Sequence, residues 1–149
     1  MATTVKIDAM LRPIIQGGSK MSIQAIYGEG IRVPPTKVNT GIQAGNFIFT
    51  SGQSGRDHKT GIMPEGIRAQ TLQALRNIQL ILEAAGSKIE DLVAVSVYLV
   101  DLNEYKEYNE AYDEFFKDVA IPPTRTTYQV AALAVDIMRI EVKAIAYKG

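Results

Sequence analysis

Arg125 is the residue of this sequence whose setting most clearly suggests chemistry. It follows Pro122, Pro123 and Thr124 and precedes a run rich in β-forming residues. Proline fixes its own backbone and drives the preceding residue towards extended geometry, so the Arg125 side chain should have a defined direction where a strand begins. A guanidinium held in this way can bind a carboxylate through two parallel hydrogen bonds, which lysine cannot do. The segment is equally compatible with an exposed surface arginine or a subunit salt bridge, because arginine is mostly found at the surface.

The sequence lacks residues that several large enzyme classes need. It contains no cysteine, which removes disulfides, thiol nucleophiles and thiolate metal sites and fits an intracellular, cytoplasmic protein. The one histidine, His58, lies in a polar, turn-forming stretch and is predicted to be a solvated loop residue. A Ser-His-Asp triad or a multi-histidine metal site would need that residue, and no phosphate-binding glycine loop is present.

Length and composition predict a single globular domain without a membrane span. Of the 149 residues, 46% are apolar and 21% are charged, and no apolar run approaches the ~20 residues that a span needs. The 16 basic residues balance the 16 acidic ones, so no overall field attracts nucleic acid or anionic lipid. Residues 1–20 show no strong periodicity, and Asp8 interrupts the stretch where a signal peptide would be apolar. We therefore expect an N-terminal extension at 1–20 and one domain at 21–149.

The elements that would position Arg125 begin near Ser22. Alternating residues predict strands over 22–27, 39–43 and 47–51, with a hairpin turn at 44–46 between the second and the third. Apolar residues at helical spacing predict a helix over 65–85 that Gly86 would end. Ser87 to Glu90 has the form of a capping box and would start a short turn.

A strand over 92–100 is predicted to be apolar on both faces. Alternation assigns its side chains to two faces, one with Val93, Val95, Val97 and Leu99 and the other with Leu92, Ala94, Tyr98 and Val100. A strand of this kind is covered on both sides, by helices on one and by something else, such as a partner subunit, on the other.

The C-terminal third predicts a second helix and two more strands. Asp101 and Glu104 would cap the helix. Its aromatic stripe is best explained by core packing and consists of Tyr105, Tyr108, Tyr112, Phe115 and Phe116. The strands span 125–131 and 138–147, and alternation in the last one places Glu141 on a charged face. A salt bridge with Arg139 or Lys143 would be an ordinary role for Glu141. The predicted order is β-β-β-α-β-α-β-β, an α+β sheet of six strands with two helices on one face.

Short segments along the chain form a distinctive series. They are Asn46–Gln53, Lys59–Gly61, Glu83–Gly86, Val97–Leu99, Asn109–Tyr112 with Phe115 and Phe116, Pro123–Arg125, Ile140–Val142 and Ala144–Ala146. Together they resemble the RidA (YjgF) family of reactive enamine/imine deaminases over about residues 34–147. The resemblance implies a chorismate-mutase-like (YjgF-type) fold with a six-stranded mixed sheet, and a homotrimer with active sites in the clefts between subunits.

The same resemblance implies site residues and a reaction. Arg125 corresponds to the arginine that binds the substrate carboxylate, and Glu141 to the acid that holds the attacking water. Ser51 and Gly52 correspond to a pocket wall, and Asn109 to a pocket asparagine on the second helix. The implied enzyme resembles a 2-iminobutanoate/2-iminopropanoate deaminase. Water adds to an imine tautomer, ammonia is released and a 2-keto acid remains. This reaction needs a carboxylate clamp and an acid/base group but no metal or cofactor.

Two pocket positions depart from the family pattern. Val38 stands where well-characterised members carry a tyrosine, and Thr127 stands where many carry a cysteine. The departures leave two alternatives open besides the deaminase of small enamine acids. One is a deaminase of a larger enamine acid such as an aminomuconate. The other is a non-catalytic homotrimer that binds or senses small carboxylates, since a site can keep its binding arginine and lose its chemistry.

Overall fold

The fold is a mixed β-sheet with two helices on one face. The computed structural model describes residues 22–149, so the predicted extension at 1–20 lies outside the described residues and stays a prediction, as does the single domain over 21–149. The strands are β1 (Ile23–Ala25), β2 (Gly41–Ala44), β3 (Phe47–Thr50), β4 (Gln53–Ser54), β5 (Leu92–Leu99), β6 (Thr124–Gln129) and β7 (Ile140–Tyr147), and the helices are α1 (Ile67–Ala84) and α2 (Tyr105–Phe115).

The strand order in the sheet is β1-β2-β3-β7-β5-β6, with β4 pairing with β7 beyond the end of β3. All neighbours are antiparallel except β5 and β6, which run parallel. The six predicted strands and both helices are therefore confirmed with small changes of bounds. The prediction missed β4, because two residues in a polar loop carry no periodic pattern.

Helix α1 ends as its sequence predicts. Gly86 adopts a left-handed backbone conformation with φ of 69°, and its N–H donates to the carbonyl of Glu83 at 2.9 Å. Lys148 Nζ donates to the carbonyl of Ala85 at 2.9 Å, which supplies a cation to the helix C-terminus. The short 3-10 turn that follows, Ile89–Asp91, is held by the carboxylate of Asp91 and not by Glu90, since the N–H of Lys88 and the hydroxyl of Ser87 both donate to Asp91.

The hydrophobic core lies between the sheet and the two helices. Its sheet side is formed by alternate residues of the central strands, and its helix side by the apolar faces of α1 and α2. Tyr108, Tyr112 and Phe116 of the aromatic stripe are buried in this core, which confirms core packing for them, whereas Tyr105 is 40% exposed.

The two faces of β5 differ from the prediction at its start. A shift in the pairing with β7 between Leu92 and Ala94 turns Leu92 into the core, where it is 4% exposed, and leaves Val93 42% exposed. The prediction that Leu92 shares a face with Ala94 is therefore wrong, because a bulge moves one residue out of the regular alternation. The face opposite the helices carries Ala94 and Tyr98, both only partly buried in the single chain.

Candidate active site

Arg125 lies on β6, on the face of the sheet that the helices cover. It is in register with Val95 of β5, a core residue, and in-register residues of parallel strands share a face. Its guanidinium carbon lies 4.4 Å from the ring centre of Tyr112 and 5.5 Å from that of Tyr108. Its Nη2 donates to the hydroxyl of Tyr105 at 3.4 Å. The attraction between a cation and aromatic faces therefore holds the guanidinium against α2.

The phenols beneath Arg125 stay uncharged at neutral pH. Burial raises the pKa of Tyr112 to about 12 and also raises the pKa of Tyr108. Arg125 itself is only half-buried, so its charge remains available to an anion. Arg125 is therefore packed against aromatic rings and is not a freely solvated surface arginine.

Thr127 contacts one of the tyrosines beneath Arg125, and Asn109 follows that tyrosine on α2. The Oγ1 atom of Thr127 lies 3.4 Å from the hydroxyl of Tyr108, two residues along β6 from Arg125. Asn109 follows Tyr108 on α2, and its Nδ2 donates to Asp113 at 3.1 Å on the next turn of the helix. Thr127 thus shares a tyrosine contact with Arg125, whereas the amide of Asn109 is directed along its own helix.

Glu141 lies on β7, on the opposite face of the sheet. It pairs with Tyr98 of β5 and Ser54 of β4, and its side chain packs so closely on Gly52 that a methyl group there would overlap the carboxylate. Partial burial raises the pKa of Glu141 above its ordinary value. The three atoms nearest to such a methyl group all belong to this side chain, so glycine at position 52 makes room for it.

The salt-bridge alternative for Glu141 is not realised among residues 22–149. Arg139 pairs with Glu104 instead, through Nε at 2.7 and 2.8 Å from the two carboxylate oxygens. No ion pair of the described part of the chain includes Glu141 or Lys143. Glu141 is therefore a partly desolvated carboxyl group without a charged partner in this part of the structure.

A cavity of about 430 Å³ opens beside Glu141. Four predicted site residues line it, namely Glu141, Ser51, Gly52 and Val38. The other lining residues are Arg32, Pro34, Pro35, Thr40, Gln53, Ser54, Arg56, His58, Ala134, Val135 and Met138. The hydroxyl of Ser51 donates to the carbonyl of Asn39, and Val38, 48% exposed, gives the mouth an apolar edge.

His58 is not the solvated loop residue that the sequence predicts. Its ring is half-buried and contacts two groups of the chain, the backbone N–H of Arg32 at 3.2 Å and the side-chain amide of Gln53 at 2.9 Å. Gln53 is only 5% exposed. The polar composition of the loop gave no sign of these contacts, since one depends on Arg32, 26 residues away, and the other on the buried side chain of Gln53.

Known proteins similar to this chain identify its family. Residues 33–148 match the family described as Endoribonuclease L-PSP. The chain belongs to this family, the YjgF/RidA family. A 2-iminobutanoate/2-iminopropanoate deaminase from Escherichia coli is 41% identical over 109 residues, which are 72% of this chain and 84% of that enzyme. A RutC family protein from Pyrococcus horikoshii is 42% identical over 126 residues, 84% of this chain and 98% of that protein.

Solved structures of the YjgF/RidA family have the same fold. The crystal structure of the YjgF gene product from E. coli matches with a TM-score of 0.80 and 37% identity, over 85% of this chain and 99% of that one. E. coli TdcF with bound serine matches with a TM-score of 0.80 and 32% identity, over the same shares of the two chains. The YjgF-type fold that the motifs imply is thereby confirmed.

In this YjgF/RidA-family chain the predicted site residues form two separate groups. Arg125 and Thr127 lie at α2, whereas Glu141, Ser51, Gly52 and Val38 line the cavity on the other face. Sequence reasoning missed the tyrosines that hold Arg125. A signal was available, because a stripe of tyrosines and not of leucines places hydroxyl groups where a polar neighbour is expected.

Within 22–149 no group of three or more His, Cys, Asp or Glu side chains could hold a metal ion. No helix in that range is both long enough and apolar enough to cross a membrane.

Proposed function

We propose that this protein hydrolyses reactive 2-enamine and 2-imine carboxylic acids to 2-keto acids and ammonia. The observation that carries the proposal is the setting of Glu141, a half-buried carboxyl group with a raised pKa and no ion pair within residues 22–149, at the wall of a cavity. A carboxyl group with a pKa closer to neutral exchanges protons more readily with a reacting molecule. The deaminase name of a relative 41% identical to this chain supports the same reaction.

The proposed site takes residues from two subunits of a homotrimer. Arg125 and Glu141 lie on opposite faces of one sheet, so one chain alone cannot bring both to a small substrate. Arg125 of one subunit would bind the substrate carboxylate through its planar fork. Glu141 of a neighbouring subunit would face the reacting carbon.

The chemistry follows from these two groups. An enamine such as 2-aminoacrylate tautomerises to the imine as its terminal carbon gains a proton and its nitrogen loses one. Glu141 accepts a proton from water as the water oxygen bonds to the imine carbon, and the carboxyl group returns that proton to nitrogen. The hydroxyl group of the resulting carbinolamine then loses its proton to nitrogen as the carbon–nitrogen bond breaks, which releases ammonia and leaves a 2-keto acid. The clamp contributes orientation and the glutamate contributes proton transfer.

A direct assay tests the proposal. Enamines are generated in situ from serine, threonine and longer amino acids, and the formation of keto acid and ammonia is followed with and without the protein. We expect the protein to accelerate both above spontaneous hydrolysis. No acceleration with any of these substrates would refute the deaminase function.

One observation favours the larger substrates among the alternatives. The cavity is open at the surface of one chain, and an apolar edge would favour an enamine acid with a longer carbon chain. Val38 contributes an apolar edge to it. A non-catalytic carboxylate-binding protein would instead bind 2-ketobutyrate and leave the rate of ammonia release unchanged.

A further inference from the structure

His58 connects two parts of the chain that are distant in sequence. It belongs to a tight loop in which the carboxylate of Asp57 accepts from the N–H groups of Lys59 and Thr60, both at 2.8 Å. From this loop the imidazole reaches the backbone of Arg32 on one side and the side chain of Gln53 on the other. Arg32, Gln53 and His58 all line the candidate cavity.

The hydrogen bonds fix the tautomer of the ring. The backbone N–H of Arg32 can only donate, so Nδ1 of His58 accepts and carries no proton. The proton of the neutral ring is then on Nε2, which donates to Oε1 of Gln53 at 2.9 Å. A protonated ring would place an N–H at Nδ1 against the N–H of Arg32, and two donors would face each other.

Gln53 links His58 to the cavity wall through hydrogen bonds. Its side chain is buried, and its Nε2 donates to the carbonyl of Ser51 at 3.1 Å. Because Oε1 accepts from His58, the amide has one consistent orientation, with Nε2 towards Ser51. Ser51 precedes Gly52, on which the Glu141 side chain packs, and both residues line the cavity.

We propose that His58 is a positioning residue of the candidate site. Its neutral imidazole fixes the Gln53 amide, and through that amide the Ser51–Gly52 wall beside Glu141. It does not touch the reacting atoms. The effect on turnover rests on the proposed function, whereas the effect on the wall does not.

Charged groups surround the ring on both sides. Burial lowers the pKa of His58, nearby Arg32 lowers it further, and Asp57 opposes the shift. The remaining charged side chains that line the two hollows beside the ring are Lys59, Arg76 and Glu83 towards α1, and Arg56 and Glu141 towards the cavity. The neutral, hydrogen-bonded form of His58 therefore persists below the ordinary histidine pKa range. Stronger acid should protonate the ring and break the hydrogen bonds through which it positions the wall.

Kinetics of three variants test the positioning role. His58→Ala removes both hydrogen bonds, His58→Gln offers an acceptor and a donor without titrating, and Lys59→Ala is the matched control on the same loop. With an enamine generated in situ, we expect His58→Ala to lower kcat about three- to tenfold with a smaller change in KM, the size expected for a lost hydrogen bond. His58→Gln should restore most of kcat, and Lys59→Ala should behave as the wild type.

The pH profile separates positioning from a general structural role. As pH falls below the ordinary histidine pKa of about 6.5, wild-type kcat should decrease through protonation of both Glu141 and His58, whereas His58→Gln should keep only the decrease that belongs to Glu141. Equal kcat in His58→Ala and the wild type, or identical acid limbs in the wild type and His58→Gln, would overturn the proposal.

A spectroscopic readout keeps the test independent of activity. We expect His58→Ala to shift the NMR signals of the Gln53 side-chain amide and of the Ser51 and Gly52 backbone amides far more than Lys59→Ala does, with His58→Gln intermediate. Unshifted signals would overturn the positioning role, even if His58→Ala were less active. If the signals shift but the wild type does not accelerate enamine hydrolysis, the proposed function fails and the positioning of the wall stands.

Discussion

Arg125 and Glu141 lie on opposite faces of the same sheet. Arg125 is level with Val95, which points into the core under the helices, and Glu141 is level with Tyr98, which points the other way. Residues next to each other along β5 alternate between the faces. The two groups that the proposed reaction needs can therefore meet only if a second chain contributes one of them.

Mixing two inactive variants tests this shared site. Arg125→Ala and Glu141→Gln should each be nearly inactive alone. In mixed oligomers, a site with Arg125 from one variant and Glu141 from the other is intact, so about a quarter of wild-type activity should return after equal mixing and random assembly of symmetric subunits. The measurement is enamine turnover after the two variants are refolded together.

Two controls define the result. Each variant refolded alone should stay inactive, and sedimentation should give the same oligomer for the mixture as for the wild type. Activity that stays absent in verified mixed oligomers, or a wild type that sediments as a stable monomer, would contradict a site shared between subunits.

Arg125→Lys tests the clamp. The lysine keeps the charge but loses the planar fork and most of the stacking on Tyr108 and Tyr112. A substrate that pivots on a single contact meets the attacking water poorly, so kcat/KM should fall about 10²-fold, while the unfolding midpoint changes little. Arg68→Lys is the matched control, because Arg68 is a partly exposed arginine paired with Glu114. If the kinetics of Arg125→Lys are as close to the wild type as those of the control, Arg125 lies outside the site.

Local pattern predicted most elements of this fold but not their relation to each other. The apolar spacing along α1 and the left-handed Gly86 follow from nearby residues, as does the alternation that turns Glu141 away from the core. The bulge at Leu92 breaks an alternation that the sequence alone shows as continuous. The opposite faces of Arg125 and Glu141 depend on the parallel register of β5 and β6, which no local signal contains.

Glu141→Gln tests proton transfer. The amide keeps the shape of the side chain but cannot accept and return a proton, so hydrolysis should fall by ~10²–10⁴-fold while 2-ketobutyrate binding is retained. Ammonia release measures the hydrolysis, and calorimetry measures the binding of 2-ketobutyrate. Glu90→Gln, an exposed glutamate of the 3-10 turn before β5, is the control and should be fully active. Full activity of Glu141→Gln would reject the acid/base role, and loss of binding together with activity would assign Glu141 to the shape of the pocket.

The raised pKa of Glu141 also predicts how stability depends on pH. The folded pKa lies above the unfolded value near 4.5, so the native chain binds this proton more tightly. Its stabilising contribution is complete below about pH 4.5 and is lost as pH rises through the folded pKa. The free energy of unfolding of the wild type should therefore fall relative to Glu141→Gln on going from acid to neutral pH, by no more than about 1 kcal/mol because solvent screens a half-exposed group.

Urea unfolding of both proteins across this pH range measures the difference directly. His58 titrates in the same interval, but it is present in both proteins and its contribution cancels. A wild type that gains stability over the variant as pH rises would mean that the ionised form of Glu141 is the one stabilised by folding, and that burial does not dominate its setting.

Val38→Tyr tests whether the cavity edge selects the substrate. Val38 lines the cavity and is 48% exposed, so a tyrosine there would narrow the mouth and add a hydroxyl group. Discrimination by one methylene in an apolar pocket amounts to ~10–200-fold, and we expect the ratio of kcat/KM for a short enamine acid to that for a long one to rise about tenfold. Val33→Tyr is the matched control, because Val33 is 64% exposed and does not line the cavity. An unchanged ratio in Val38→Tyr, or a shift towards the longer substrate, would mean that the apolar edge does not set substrate length.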